Sequence, residues 1–221
     1  MIHRIVRAAR RRLQLPGLLE PLIVVVHSSP VLAPAVPVRD WRPDLPAGDV
    51  RSLSLHWTGD DYERVFPSYH FCLAGFHDVR VHHTHDLRAN MRDVRLDPAA
   101  PYAAHTAGRN AWSLGLAVAA MRDATPSDFG AYPLTGEQLE ALCVVAARLA
   151  AFYGIPLGAI RTHAEAALDD GYFGAGSDGA RWDIARLEPS PRALEPAEAT
   201  ATGDALRHRI GLLIAAGPGS A

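Results

Sequence analysis

The chain has 221 residues, 48% of them hydrophobic and 21% charged, with a formal net charge of -2. That length supports a full hydrophobic core, the composition is ordinary for a globular protein, and the near-neutral balance gives no general attraction to nucleic acid. The two cysteines, Cys72 and Cys143, sit in apolar runs without CxxC spacing and read as buried thiols, and the sequence holds no lysine, so every fixed cation is an arginine.

In chain order, the first segment is an arginine-faced amphipathic helix over residues 2–13, carrying Arg4, Arg7, Arg10, Arg11 and Arg12. With the apolar LQLPGLLEPLIVVV behind it, this stretch imitates an export leader, but Pro16, Glu20 and Pro21 interrupt it and no small-residue cleavage site follows. It is also too short and too broken to span a bilayer. The favoured reading is a solvated terminal helix, with membrane contact through its basic face as the lesser alternative. LIVVV at 22–26 reads as a buried strand, and the proline-rich VLAPAVPVRDWRPDLPAGD as an irregular connection.

SLSLHW alternates polar and apolar residues, as a half-buried strand ending at His56 would. TGDDYERVF suits a short helix capped by Thr58 or Asp60. SYHFCLAG and VRVHHTH read as neighbouring strands joined around residues 75–78, and AWSLGLAVAAM (111–121) as a central strand. LTGEQLEALCVVAARLAAFYGIP is the clearest helix: Thr135 caps it, Gln138 completes a capping box, Leu139, Leu142, Val145, Ala146 and Leu149 form its apolar stripe, and Gly154 and Pro156 stop it. GYFGAGSDGA (171–180) is a glycine-rich loop without phosphate-loop spacing, and a last helix is expected over 204–216. Strands and helices interleaved in this way predict an α/β fold, a single domain with a central, mostly mixed sheet flanked by helices. The organisation expected is an N-terminal extension (1–48), a main domain (49–190) and a tail (191–221).

Eleven histidines must be sorted. His83 and His85 share one strand face in VHHTHD and would suit a metal, although neighbouring histidines on an edge strand are also an ordinary polar surface, which is the preferred reading. His3, His77 and His208 lie in segments expected to be exposed. His27 and His56 compete for a role at a strand end, where side chains converge in open α/β sheets; His56 has the better neighbourhood. His70 should point away from Tyr69 on a strand, and Trp182 reads as packing.

Taken in order, SLSLHWTG, YHF, AHTAGRNAWSLGLAV, THAE and RWDIARL resemble the motifs of the zinc-dependent N-acetylmuramoyl-L-alanine amidases, the family shared by phage amidase lysozymes and animal peptidoglycan recognition proteins. The resemblance implies that His56, His163 and Asp183 hold Zn²⁺ and that residues 49–190 are the zinc amidase domain. It further implies that Tyr69 positions the water or the scissile carbonyl and that Arg181 stands where the family often has lysine. His105 and Asn110 would line the cleft and contact substrate. The glutamate base that some members of the family carry matches Ala117 and is missing, which leaves Tyr69 and Glu165 as candidates for that role. The implied substrate is peptidoglycan or a muropeptide, with no nucleic-acid partner. With no convincing leader in the sequence, the expected setting is the cytoplasm before release to the cell wall, with export as the alternative, as an endolysin or a wall-remodelling enzyme. A non-catalytic peptidoglycan-binding module of the same fold is the alternative.

Elementary chemistry agrees with this ligand set. Two imidazoles and one carboxylate leave one tetrahedral position of zinc open, the pattern of catalytic sites. Arginine can stabilise an oxyanion but cannot act as a general acid near neutral pH.

Overall fold

In the computed structural model, which describes residues 36–176 and 179–217, six strands form one mixed sheet in the order β1-β4-β3-β5-β2-β6. They are β1 (Val36–Pro37), β2 (Ser52–Trp57), β3 (Phe71–Ala74), β4 (Arg80–His83), β5 (Ser113–Val118) and β6 (Ile160–Thr162). β3, β5, β2 and β6 run parallel to one another, while β4 is antiparallel to both β3 and β1. Three helices accompany the sheet: α1 (Gly136–Tyr153), α2 (His163–Asp170) and α3 (Pro196–Ala216). The basic helix expected at 2–13, the strand expected at 22–26 and His27 lie outside the described residues.

The two faces of the sheet differ because its two central strands alternate. Leu53, Leu55 and Trp57 of β2 stand in register with Leu114, Leu116 and Val118 of β5, and all six belong to the buried core. α1 supplies Leu142, Val145, Ala146 and Leu149 to the same core. On the opposite face Ser54 pairs with Gly115 and His56 with Ala117. That face is built of small residues around one imidazole, which leaves room for a site.

α1 starts where its sequence says it should. Thr135 accepts from the Gln138 N–H, and the Gln138 side chain returns the bond to the Thr135 N–H. The same Gln138 amide donates to the carbonyls of Gly75 (3.1 Å) and Ala119 (2.9 Å), tying the helix start to the ends of β3 and β5. Gly154, in the left-handed region at φ 69°, closes the helix.

Two expectations are corrected. Residues 58–66 form no helix, because the Asp60 N–H donates to the Ala120 carbonyl (3.1 Å) and Thr58 Oγ1 accepts from Ala120 N–H (3.3 Å). The Arg122 guanidinium clamps both Asp60 and Asp61, so this segment follows the extension of β5 instead of bonding to itself. The last helix begins eight residues earlier than expected, at Pro196, where proline at the first position needs no hydrogen-bond partner. Its Leu206 and Ile210 join the core beside α1. Arg186 holds the connection ahead of it: buried to 2% exposure, its guanidinium bonds Glu198 and the carbonyls of Pro126, Ser190, Arg192 and Ala193.

Candidate metal centre

β2 and β6 are parallel neighbours with Leu55 opposite Thr162, so the residues that follow, His56 and His163, emerge side by side at the C-terminal ends of these strands. Ligand sites in open parallel sheets form at such ends. His163 is the first residue of α2, whose N-cap Thr162 accepts from the Glu165 N–H. Asp183 arrives on a tight turn in which the Ala185 N–H donates to the Trp182 carbonyl (2.8 Å). Ile184, at φ 60°, occupies a left-handed conformation that β-branched residues rarely adopt. The turn is locked to α2, since the Ala164 N–H donates to the Asp183 carbonyl at 3.1 Å.

The three side chains converge. His56 Nδ1 lies 3.1 Å from His163 Nδ1 and 3.5 Å from Asp183 Oδ2, and His163 Nδ1 lies 3.2 Å from the same oxygen. A tetrahedral ion with bonds of about 2.0–2.1 Å sets its ligands about 3.3–3.4 Å apart, so this triangle has the size of one tetrahedral face. Among the described residues, this is the one group in which three such donors lie within 4.8 Å of one another. The exposures of His56, His163 and Asp183 are 0%, 7% and 8%.

Their electrostatics suit a cation. Burial pushes His56 down to about 4, against the opposing pull of Asp183, so its ring is neutral at neutral pH. Burial raises Asp183, but its hydrogen bond with His163 and the electrostatic attraction of the two neighbouring imidazoles outweigh it and hold the carboxyl well below its ordinary range. A carboxylate beside a neutral imidazole is the protonation state that metal binding requires.

A cleft of about 680 Å³ opens beside the triangle, its wall including His163, Asp183, Tyr69, His105, Asn110, Tyr172 and Arg181. Tyr69 precedes β3 in a turn; its ring centre is 5.0 Å from that of His56 and its hydroxyl donates to the Trp57 carbonyl at 3.4 Å. Burial, then the charge of Asp183, pushes this phenol well above its usual range, so it stays protonated and acts as a donor. Arg181 is exposed at the rim, with its guanidinium on the Ala180 carbonyl (2.8 Å). His105 is buried in the wall, and Asn110 Oδ1 accepts from the Thr106 N–H at 2.9 Å, giving its amide a loop-shaping role.

Glu165 is placed elsewhere. Although only two residues from His163, its carboxylate accepts from the Thr162 N–H (2.9 Å) and from both terminal nitrogens of Arg207 (2.9 and 2.8 Å), and it does not line the cleft. A direct role for Glu165, the lesser of the two candidates, does not fit this placement, because its oxygens are occupied in capping α2 and bonding α3. Ala117 pairs in register with His56, so this position offers only a methyl group beside the ligand. His70 does not line the cleft, and its Nδ1 accepts from the Gly115 N–H at 2.9 Å. Trp182 packs edge-on against Trp57, with ring centres 4.6 Å apart. His85 bonds the Pro67 carbonyl and His83 stacks on Phe71, so the VHHTH histidines gather no donor triangle. The thiols of Cys72 and Cys143 are buried and pushed up by that burial, to about 11 and about 12.

Sequence reasoning missed two features of the site. Tyr172 follows α2 directly and turns a buried hydroxyl without a hydrogen-bond partner into the structure beside His163. Thr106 lies between His56 and His105; only the HT pair in AHTAGRN hinted at it. A smaller groove of about 310 Å³ between Trp41, α1 and α3 is lined by apolar residues and two arginines, and holds no imidazole or carboxylate.

No family model matches the chain, and no curated protein sequence matches it. Among solved structures, the chain is similar to that of a point mutant of PlyL, at 11% identity and a TM-score of 0.35, over 74% of this chain and 86% of that one. At so low a score the α/β assignment stands on the topology of the sheet itself.

Proposed function

We propose that the protein is a zinc-dependent amidase that hydrolyses the amide between N-acetylmuramic acid and L-alanine in peptidoglycan or muropeptides, as an endolysin or a wall-remodelling enzyme. The observation that carries this reading is the buried His56–His163–Asp183 triangle at the C-terminal ends of β2 and β6, beside an open cleft. The order of the sequence motifs supplies the substrate class. Zinc, when bound, supplies a Lewis acid and makes hydroxide available near neutral pH.

The chain's own groups would do the rest. His56, His163 and Asp183 would hold the ion. Tyr69, kept protonated, would turn its single O–H from the Trp57 carbonyl toward the oxygen of the scissile carbonyl as negative charge builds on it. Arg181 adds a fixed positive charge from the rim. Removing one such donor typically costs about 10²–10³ in rate.

A second reading, a peptidoglycan-binding module without catalysis, is favoured by one observation. Among the described residues lining the cleft, Asp183 is the sole carboxylate, so no spare carboxylate base stands beside the triangle. Metal analysis of purified protein and digestion of sacculi separate the two readings. The leading proposal expects about one zinc per chain and release of peptides with a free L-alanine amino terminus. Asp183→Ala should lose both zinc and activity while keeping the native circular dichroism spectrum. Zinc without product would favour the binding module, and a wild-type protein that takes up no zinc would sink both the metal and the amidase reading.

A further inference from the structure

The ring nitrogens of His56 differ in surroundings. Nδ1 faces the ligand triangle, whereas Nε2 lies 3.2 Å from Thr106 Oγ1. Thr106 Oγ1 is in turn 3.0 Å from His105 Nδ1, and His105 Nε2 is 3.3 Å from the Ser113 carbonyl oxygen. These contacts fix a direction. A carbonyl oxygen only accepts, so His105 Nε2 carries the hydrogen. A neutral imidazole has one N–H, and His105 is buried with no carboxylate among its contacts, so its Nδ1 is a lone pair. That lone pair takes the single hydroxyl hydrogen of Thr106. The Thr106 oxygen can then only accept, and its remaining neighbour, His56 Nε2, must donate.

The surroundings are built to keep this order. Gly115 makes the space for the His105 ring, since a Cβ there would lie 2.5 Å from His105 Cγ. The Thr106 backbone is pinned by Asn110 Oδ1, and the loop carrying both residues is held by buried Asn90, whose side chain bonds Ala103 on both its groups and the Asn110 carbonyl.

We propose that Thr106 and His105 are positioning residues that hold His56 in the Nε2–H tautomer, so that Nδ1 is presented as a bare metal ligand before any ion arrives. Outer partners of this kind orient ligand histidines and raise their basicity, and their loss typically weakens metal binding about 10–100-fold. The consequence for the metal rests on the zinc reading above; the tautomer itself belongs to the ion-free protein.

Long-range ¹H–¹⁵N correlation spectra of the metal-free, ¹⁵N-histidine-labelled protein read the tautomers directly. The expected result is an Nε2–H, Nδ1-bare pattern for both His56 and His105. Thr106→Val, which keeps the side-chain shape without the hydroxyl, should give His56 a mixture of tautomers. It should also raise the zinc Kd, by chelator competition, about 10–100-fold. Thr106→Ser, which restores the hydroxyl, should restore both readouts. A wild-type His56 carrying its hydrogen on Nδ1 overturns the proposal, and so does a Thr106→Val protein with unchanged tautomer and unchanged Kd. If the wild type binds no zinc, the metal reading fails on its own, while the spectra of the ion-free protein still decide the relay.

Discussion

A single methyl group at position 115 would collide with the ring that backs His56. Alanine is ordinarily better than glycine inside a strand by about 0.5–1 kcal/mol, yet here its Cβ would meet His105 Cγ at 2.5 Å. Gly115→Ala should therefore destabilise the protein by about 1–3 kcal/mol, the usual cost of overpacking, and weaken zinc binding as well. Denaturant melts and chelator competition measure the two effects; a more stable variant with unchanged zinc affinity would contradict this packing. Tyr69→Phe tests the donor assigned to the carbonyl oxygen, and kcat should fall about 10²-fold with zinc content unchanged. At this scale the sequence was uneven. The three donors the motifs singled out do lie together, because their type and order were already informative. The Thr106–His56 contact joins residues 50 apart and depends on a loop shaped by Asn90 and Asn110, which no local pattern announces. Glu165 misled for the opposite reason: nearness in THAE suggested the site, but at the third position of a helix its carboxylate turns back to the cap.

Among the elements, α2 and α3 depend on each other through Glu165. Gly203 in α3 gives that carboxylate its room, since a Cβ at 203 would fall on it, and Arg207 one turn later bonds it. Helix propensity alone says that Gly203→Ala should stabilise α3 by about 1 kcal/mol. The contact says the reverse: the variant should melt lower, by a few degrees, because Glu165 must leave Arg207 or α3 must move off. A higher Tm would show that the carboxylate relocates freely. α1 was legible because its capping box, apolar stripe and terminal glycine all agree. The early start of α3 was hidden in PAEATATGD, where an alanine-rich face and a mid-helix glycine give almost no amphipathic signal; the helix exists there because Ala199 and Thr202 are buried by packing.

Across the whole molecule, parallel strands placed the histidines, and burial left several of them neutral. His70 is fully buried among His83, His85 and His105, and burial pushes it down to about 3. His56, at about 4, and His105, pushed far down by burial, share this behaviour. Because these folded values lie below the unfolded value of about 6.5, the unfolded chain binds more protons as acid is added. Their contribution is complete above about pH 6.5 and is lost as pH falls toward the folded values, at up to about 1.4 kcal/mol per pH unit for each. Summed over the three at about 1 kcal/mol each, metal-free protein should thus melt roughly 6–12 °C lower for each unit between pH 6.5 and 5, before most carboxylates titrate. A flat Tm over that interval would contradict neutral burial. The α/β class and the central strands were readable from alternation, since that pattern reports burial directly. The strand order was not, because pairing β6 with β2 is decided by contacts across about a hundred residues, where local preference is silent.

That long-range pairing also governs when the centre can exist. His56 and His163 are 107 residues apart in sequence, and Asp183 follows 20 later on a turn anchored to the first turn of α2. No fragment that folds early can contain all three, so the triangle closes only once β6 has docked and the chain beyond α2 has come back to it. Slow, non-local strand pairing is the step that completes it. An ion captured there would act as a latch applied after assembly, stabilising finished molecules by mass action and leaving nascent or misfolded ones without that protection.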